Sequence, residues 1–63
     1  MNSVELKEQL YKVIRENNRF TWAEKEGIVN AILNVYMVRG LEFDFLQALN
    51  SAERLNRTGV LSF

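Results

Sequence analysis

Apolar residues recur at helical spacing in the first segment of the chain. Leu6, Leu10 and Val13 follow one another at intervals of four and three residues, which is the period of a helix face that packs on a core. Asn17-Asn18 comes after them, and Asn tolerates the left-handed conformation that often ends a helix. The pattern predicts a first helix from about residue 3 to residue 17.

Recognisable end signals flank the second helix. Thr21 precedes an apolar run and Glu24 stands three residues later. In this capping-box spacing, each side chain can bond the other residue's backbone N–H. Gly40 stands at the far end, and glycine is common just after the last helical residue. We therefore expect the second helix to cover about residues 21–39.

The second half of that helix is apolar on most sides. In the stretch Ile28–Val38, only Asn30 and Asn34 are polar. A helix that is apolar nearly all round is buried nearly all round. In so short a chain, this predicts that the helix is covered either by both other helices or by another subunit.

Small residues form a line along the same helix. They stand four apart and therefore share one face: Ala23, Gly27 and Ala31. Glycine inside a helix costs up to about 1 kcal/mol relative to alanine, and the close approach of another backbone is one reason to accept that cost. The alternative is that Gly27 is a tolerated surface glycine.

The third segment carries two overlapping patterns. Residues 41–45 alternate apolar and polar, as a short strand does, but the chain offers no second strand to pair with it. A stripe at helical spacing runs through the same segment: Leu41, Phe45, Leu49, Ala52 and Leu55. We expect a helix over about residues 42–56, with Gly59 beyond its end. The apolar tail Val60–Phe63 either docks back on the helices or contacts a partner.

These three helices define the predicted fold class. Short connections between amphipathic helices favour antiparallel neighbours, and no internal repeat or linker divides the chain. The sequence therefore predicts one all-α domain, residues 1–63, folded as a small three-helix bundle.

Composition excludes most catalytic and metal chemistry. The chain has 63 residues with no Cys, no His and no Pro, so disulfides, ordinary zinc or haem sites and Ser-His-Asp catalysis are excluded. Glu24 and Glu26 stand two apart and do not face each other on a helix, and the same holds for Glu42 and Asp44. The three scattered glycines form no phosphate-binding loop. We expect a protein that is not an enzyme and binds no cofactor, metal ion or small-molecule substrate.

Two further features concern location. The first residues show no basic segment followed by an apolar one, and no apolar run reaches membrane-spanning length. We expect a cytoplasmic protein that does not contact a membrane.

Size and hydrophobic content together predict self-association. Hydrophobic residues make up 48% of the chain, and a domain of this size gains little net stability from its own core. We expect a symmetric homodimer formed through the second helix, and another protein as a further partner. Aromatic and apolar residues are enriched in such interfaces. The candidate interface residues are Trp22, Ile32, Leu33, Tyr36, Met37, Phe43 and Phe63.

A small helical DNA-binding regulator is the alternative. Eight Lys and Arg balance eight Asp and Glu, and Glu42 and Asp44 at the start of the third helix would repel phosphate. The basic residues of the first helix are also consistent with a solvated face that carries ion pairs. The candidate nucleic-acid residues are Lys7, Lys12, Arg15, Arg19, Arg54 and Arg57.

Overall fold

Three α-helices make up the computed structural model, which describes residues 3–63 and, for Leu41, the backbone alone. The helices are α1 (Ser3–Ile14), α2 (Trp22–Arg39) and α3 (Phe45–Thr58), with a 3₁₀ turn at Gly40–Glu42. No strand occurs within residues 3–63. The predicted all-α three-helix bundle is confirmed; Met1 and Asn2 of the predicted domain lie outside the described residues.

Hydrogen bonds between helices fix their relative directions. Lys25 Nζ, near the start of α2, donates to the backbone oxygen of Arg15 at 2.6 Å. Asn56 Nδ2, near the end of α3, donates to the oxygen of Val13 at 2.7 Å. The end of α1 therefore lies beside the start of α2 and the end of α3. We call this the hydrogen-bonded end of the bundle (Val13, Arg15, Lys25 and Asn56).

The first helix ends three residues earlier than its sequence predicts, at Ile14 rather than residue 17. The Asn17 side chain donates to Asn56 Oδ1 at 2.8 Å and accepts from the backbone N–H of Arg19 at 2.8 Å. These bonds hold Asn17 in a turn, because a side chain bonded to α3 and to the following backbone competes with continuation of the helix.

Both ends of α2 follow the local signals. Thr21 Oγ1 accepts from the Glu24 N–H at 3.1 Å, and Glu24 Oε1 accepts from the Thr21 N–H at 2.9 Å. At the other end, Gly40 adopts φ +60° and its N–H donates to the oxygen of Tyr36. The predicted capping box and the predicted end at Gly40 are both confirmed.

The third helix begins later than predicted, at Phe45 instead of residue 42. Asp44 has an extended backbone, and its carboxylate accepts from the Gln47 N–H at 2.9 Å, which makes it the N-cap. Phe43 before it has φ −133° and ψ 83°. The alternation in residues 41–45 therefore covers the end of the 3₁₀ turn, the two non-helical residues Phe43 and Asp44, and the first residue of α3. The helix then continues to Thr58, where Gly59 adopts φ +79°.

The core lies between one face of each helix. Its fully buried side chains come from all three helices and the connection before α3: Leu6, Leu10, Ile14, Val29, Ile32, Phe43, Ala48 and Ala52. On α2, Met37 is 69% exposed and Val38 is 77% exposed. The other two helices therefore do not cover the apolar half of α2 on all sides.

The C-terminal tail lies partly against the bundle, although its Val60 side chain is 64% exposed. Leu61 packs against the core. The Phe63 ring meets the Phe43 ring edge-on, with 5.7 Å between centroids, and Arg54 donates to the Ser62 hydroxyl at 3.2 Å.

None of the helices in residues 3–63 is long and apolar enough to cross a membrane.

Candidate interaction surfaces

Two of the seven predicted interface residues lie in the core of the single chain. Ile32 is 0% exposed and Phe43 is 1% exposed. Ile32 points between α1 and α3 because it shares the inward face of α2 with Val29. Phe43 lies between the 3₁₀ turn and Asp44 with φ −133° and ψ 83°, so its direction is not the one that a continuous helix would give it. The prediction that these two side chains face a partner is wrong for the described chain.

The other five residues do not form one patch. Leu33 and Tyr36 are half-buried against the core. Trp22 is 62% exposed near the hydrogen-bonded end, where its ring lies 6.4 Å from Tyr11 and 5.0 Å from the Lys25 ammonium. Met37 is exposed in the last turn of α2, and half-exposed Phe63 contacts Phe43. The structure therefore separates Trp22 from Met37 by most of the length of α2.

Four exposed aliphatic side chains lie at the end of the bundle opposite the hydrogen-bonded end. They come from the first turn of α1, the last turn of α2 and the first turn of α3. We call this the apolar end, and it comprises Val4, Met37, Val38 and Leu46. Val4 and Leu46 are not among the predicted interface residues. Leu46 lies outside the helical stripe that contains Phe45 and Leu49, and this position in the sequence indicates that its side chain is exposed.

The outward side of α2 is a second surface. A shallow, open groove runs along it, lined by small and amide side chains together with Leu33 and Met37. We define the solvent face of α2 as Ala23, Gly27, Asn30, Ala31, Asn34, Met37 and Val38. All of these are exposed except half-buried Ala31. The twelve residues Gly27–Val38 contain no charge, so this stretch of the face has none of the charged side chains that normally keep a surface helix in water.

Gly27 lies in open space on this face. A Cβ placed on Gly27 would meet nothing within 4 Å. No contact within the described chain therefore accounts for a glycine at this position. The close packing that the small-residue line suggests is absent between the helices of one chain.

Two amides on the solvent face make no side-chain hydrogen bond within residues 3–63. They are Asn30 and Asn34, and both are exposed. The contrast is with Asn17 and Asn56, which bond each other and the α1 backbone. Asn30 and Asn34 are therefore free to donate to and accept from a molecule outside the chain.

Five of the six predicted nucleic-acid residues lie in the half of the bundle that contains the hydrogen-bonded end. Lys7 lies in the first half of α1, while Lys12 and Arg15 lie near its end. The Arg19 guanidinium approaches Gly59 at the end of α3, and Arg57 lies in the last turn of that helix. Arg54 is engaged by Ser62. The structure brings most of these cations toward the hydrogen-bonded end and leaves Lys7 apart.

Charge is unevenly divided along the bundle when each helix is halved at its midpoint. The half with the hydrogen-bonded end has six basic and four acidic side chains, a net charge of +2, and the other half has two basic and four acidic, a net charge of −2. The first group is Lys12, Arg15, Arg19, Lys25, Arg54 and Arg57 with Glu16, Glu24, Glu26 and Glu53. The second group is Lys7 and Arg39 with Glu5, Glu8, Glu42 and Asp44. The neutral chain therefore has a charge dipole directed from one end of the bundle to the other.

Within residues 3–63, no three acidic side chains come close enough together to hold a metal ion. Comparisons with protein-family models, with curated proteins and with solved structures return no match, so the surfaces described above are the basis for assigning a function.

Proposed function

We propose that the protein is a small, non-enzymatic interaction module of the cytoplasm that works as a homodimer and binds another protein. The observation that carries this proposal is the solvent face of α2. It is exposed, it is uncharged from Gly27 to Val38, and it combines small residues with free amides. Such a face suits contact with a second helix better than it suits water, because small residues permit close approach.

The apolar end supports the second part of the proposal. Exposed aliphatic side chains grouped together mark interaction sites more often than single ones do. Val4 and Leu46 belong to α1 and α3, so they stay available when α2 is occupied by a second copy. We assign these two side chains to contact with another protein.

Sedimentation equilibrium over a wide concentration range tests self-association through α2. We expect a reversible monomer–dimer equilibrium for the wild-type chain. The variant Asn34→Glu places a carboxylate in the interface of each copy, where like charges and desolvation disfavour association. We expect its dissociation constant to rise by about tenfold or more, the equivalent of about 1.4 kcal/mol.

The matched control is Asn50→Glu, the same exchange at an exposed position in α3. It should leave the dissociation constant within about twofold of wild type, since surface substitutions away from an interface change little. Circular dichroism should show full helicity for both variants. A wild-type chain that stays at 7.4 kDa at every concentration would exclude the homodimer. Binding to mixed-sequence duplex DNA that weakens steeply with salt would favour the DNA-binding alternative.

A further inference from the structure

We infer that the second copy docks antiparallel on the solvent face of α2, about a two-fold axis that pairs residues whose numbers add up to 61. This inference rests on the proposed homodimer and specifies its geometry. The axis then passes level with Asn30 and Ala31, at the middle of α2. Three pairs within the solvent face follow from this register: Ala23 with Val38, Gly27 with Asn34, and Asn30 with Ala31 of the second copy. Met37, the remaining residue of the face, lies level with Glu24 of the second copy.

Side-chain size is complementary at each of these pairs. Val38 faces Ala23, Asn34 faces Gly27, and each Asn30 faces an Ala31, so a larger side chain always meets a smaller one. A parallel pair would instead place Asn34 on Asn34 and Gly27 on Gly27, which gives crowding at one level and a gap at another. Because well-formed interfaces match the packing density of protein interiors, the antiparallel register fits better. It also accounts for the open space at Gly27.

The amides supply polar contacts near the axis. Asn30 and Asn34 make no side-chain hydrogen bond within the described chain, and each carries two donors and an acceptor. Around a two-fold axis, each hydrogen bond that one copy donates to the other is matched by an equivalent bond in the reverse direction. A polar residue in an otherwise apolar helix interface fixes register, because a shifted register leaves the amide unpaired. The two Asn30 side chains lie on either side of the axis in this register, so they are the amides that can bond each other and hold it.

Charge complementarity favours the same orientation. The hydrogen-bonded half of each copy carries +2 and the apolar half carries −2. In an antiparallel pair, each positive half lies beside the negative half of the second copy. The two helix dipoles also oppose each other. A parallel pair would place like-charged halves side by side and align the two helix dipoles, and both arrangements are repulsive.

The contact area indicates a rapidly exchanging dimer. A helix of 18 residues is about 27 Å long. Two such helices in contact along a strip about 10 Å wide bury on the order of 600 Å² in total, about half of what a stable specific interface needs. The dimer is therefore expected to form and dissociate quickly, so its geometry is best captured by trapping it covalently.

Single-cysteine variants provide that trap, because the natural chain has no cysteine. We expect Asn30→Cys to form a disulfide-linked dimer with its own copy under mild oxidation. Ala23→Cys and Val38→Cys should each stay monomeric when alone and cross-link when mixed. In the antiparallel register, identical end positions are separated by about 22 Å along the axis, far beyond the span of a disulfide. Asn50→Cys on α3 is the control and should not cross-link efficiently.

Each other outcome contradicts the inference in a different way. Efficient cross-linking of Ala23→Cys and of Val38→Cys, each with itself, would show a parallel pair. Absence of cross-linking at every α2 position, in a protein that sediments as a dimer, would place the interface elsewhere and overturn this geometry while leaving the homodimer intact. A chain that neither cross-links nor dimerises would overturn the proposed function as well.

Discussion

Lys25 lies one turn into α2, but its charge acts on the end of α1. The side chain is only 6% exposed, and its ammonium donates to the oxygen of Arg15 at 2.6 Å. The last carbonyls of a helix carry partial negative charge, so a cation there is favourable. The ammonium also lies 5.0 Å from the centre of the Trp22 ring. This contact was not predictable from local patterns, because Lys25 stands in a charged segment and its partner is ten residues away.

Replacement of Lys25 by Met tests this role at the residue scale. Lys25→Met keeps a long apolar stem and removes the donor, so the free energy of unfolding should fall by about 1.5 kcal/mol or more, the contribution of a hydrogen bond to a charged group. Urea denaturation followed by circular dichroism measures the change. Lys12→Met is the control, because Lys12 is exposed, and it should alter stability by less than about 0.5 kcal/mol. Equal stability of the two variants would contradict the assigned role.

At the scale of the elements, some helix boundaries are set by residues close in the sequence and others by residues far away in it. The start of α2 and the glycines that end α2 and α3 depend on residues within four positions of each other, and the sequence predicts them. The end of α1 depends on Asn56, 39 residues from Asn17, and local patterns do not contain that information. The start of α3 was misplaced because the apolar stripe extends back to Leu41, ahead of the true cap at Asp44.

Alanine substitutions at two glycines should change the stability of the chain in opposite directions. Gly59→Ala should destabilise the chain by about 1 kcal/mol, because φ is +79° there and an L-residue is strained in that region. The new Cβ would also lie 2.7 Å from Arg19 Nη1, although that flexible side chain can move. Gly27→Ala should stabilise the monomer by about 0.5–1 kcal/mol, since it improves helix propensity and meets no atom within 4 Å.

Thermal unfolding at low protein concentration compares the two glycine variants while the chain is monomeric. The melting temperature should rise for Gly27→Ala and fall for Gly59→Ala. A fall for Gly27→Ala would mean that its position is constrained within the monomer, contrary to the open space that surrounds it.

At the scale of the whole molecule, the apolar half of α2 was predictable from the sequence, but the side of it that stays exposed was not. Ile28–Val38 reads as apolar nearly all round, whereas the fold buries Val29 and Ile32 and exposes Met37 and Val38. Which side stays open depends on where α1 and α3 pack, and that is a property of the assembled bundle. The same holds for the apolar end, because Val4 and Leu46 are far apart along the chain and the fold brings them to one end.

The central claim is that the solvent face of α2 is where two copies meet. Backbone-amide NMR spectra recorded over a range of protein concentrations test both the association and its location. Because the dimer exchanges rapidly, the amides of Gly27, Ala31 and Asn34 should shift progressively with concentration. The amides of Glu53 and Arg57, on the outer side of α3, should not shift. Spectra that do not change with concentration, or shifts concentrated on α3, would contradict the account.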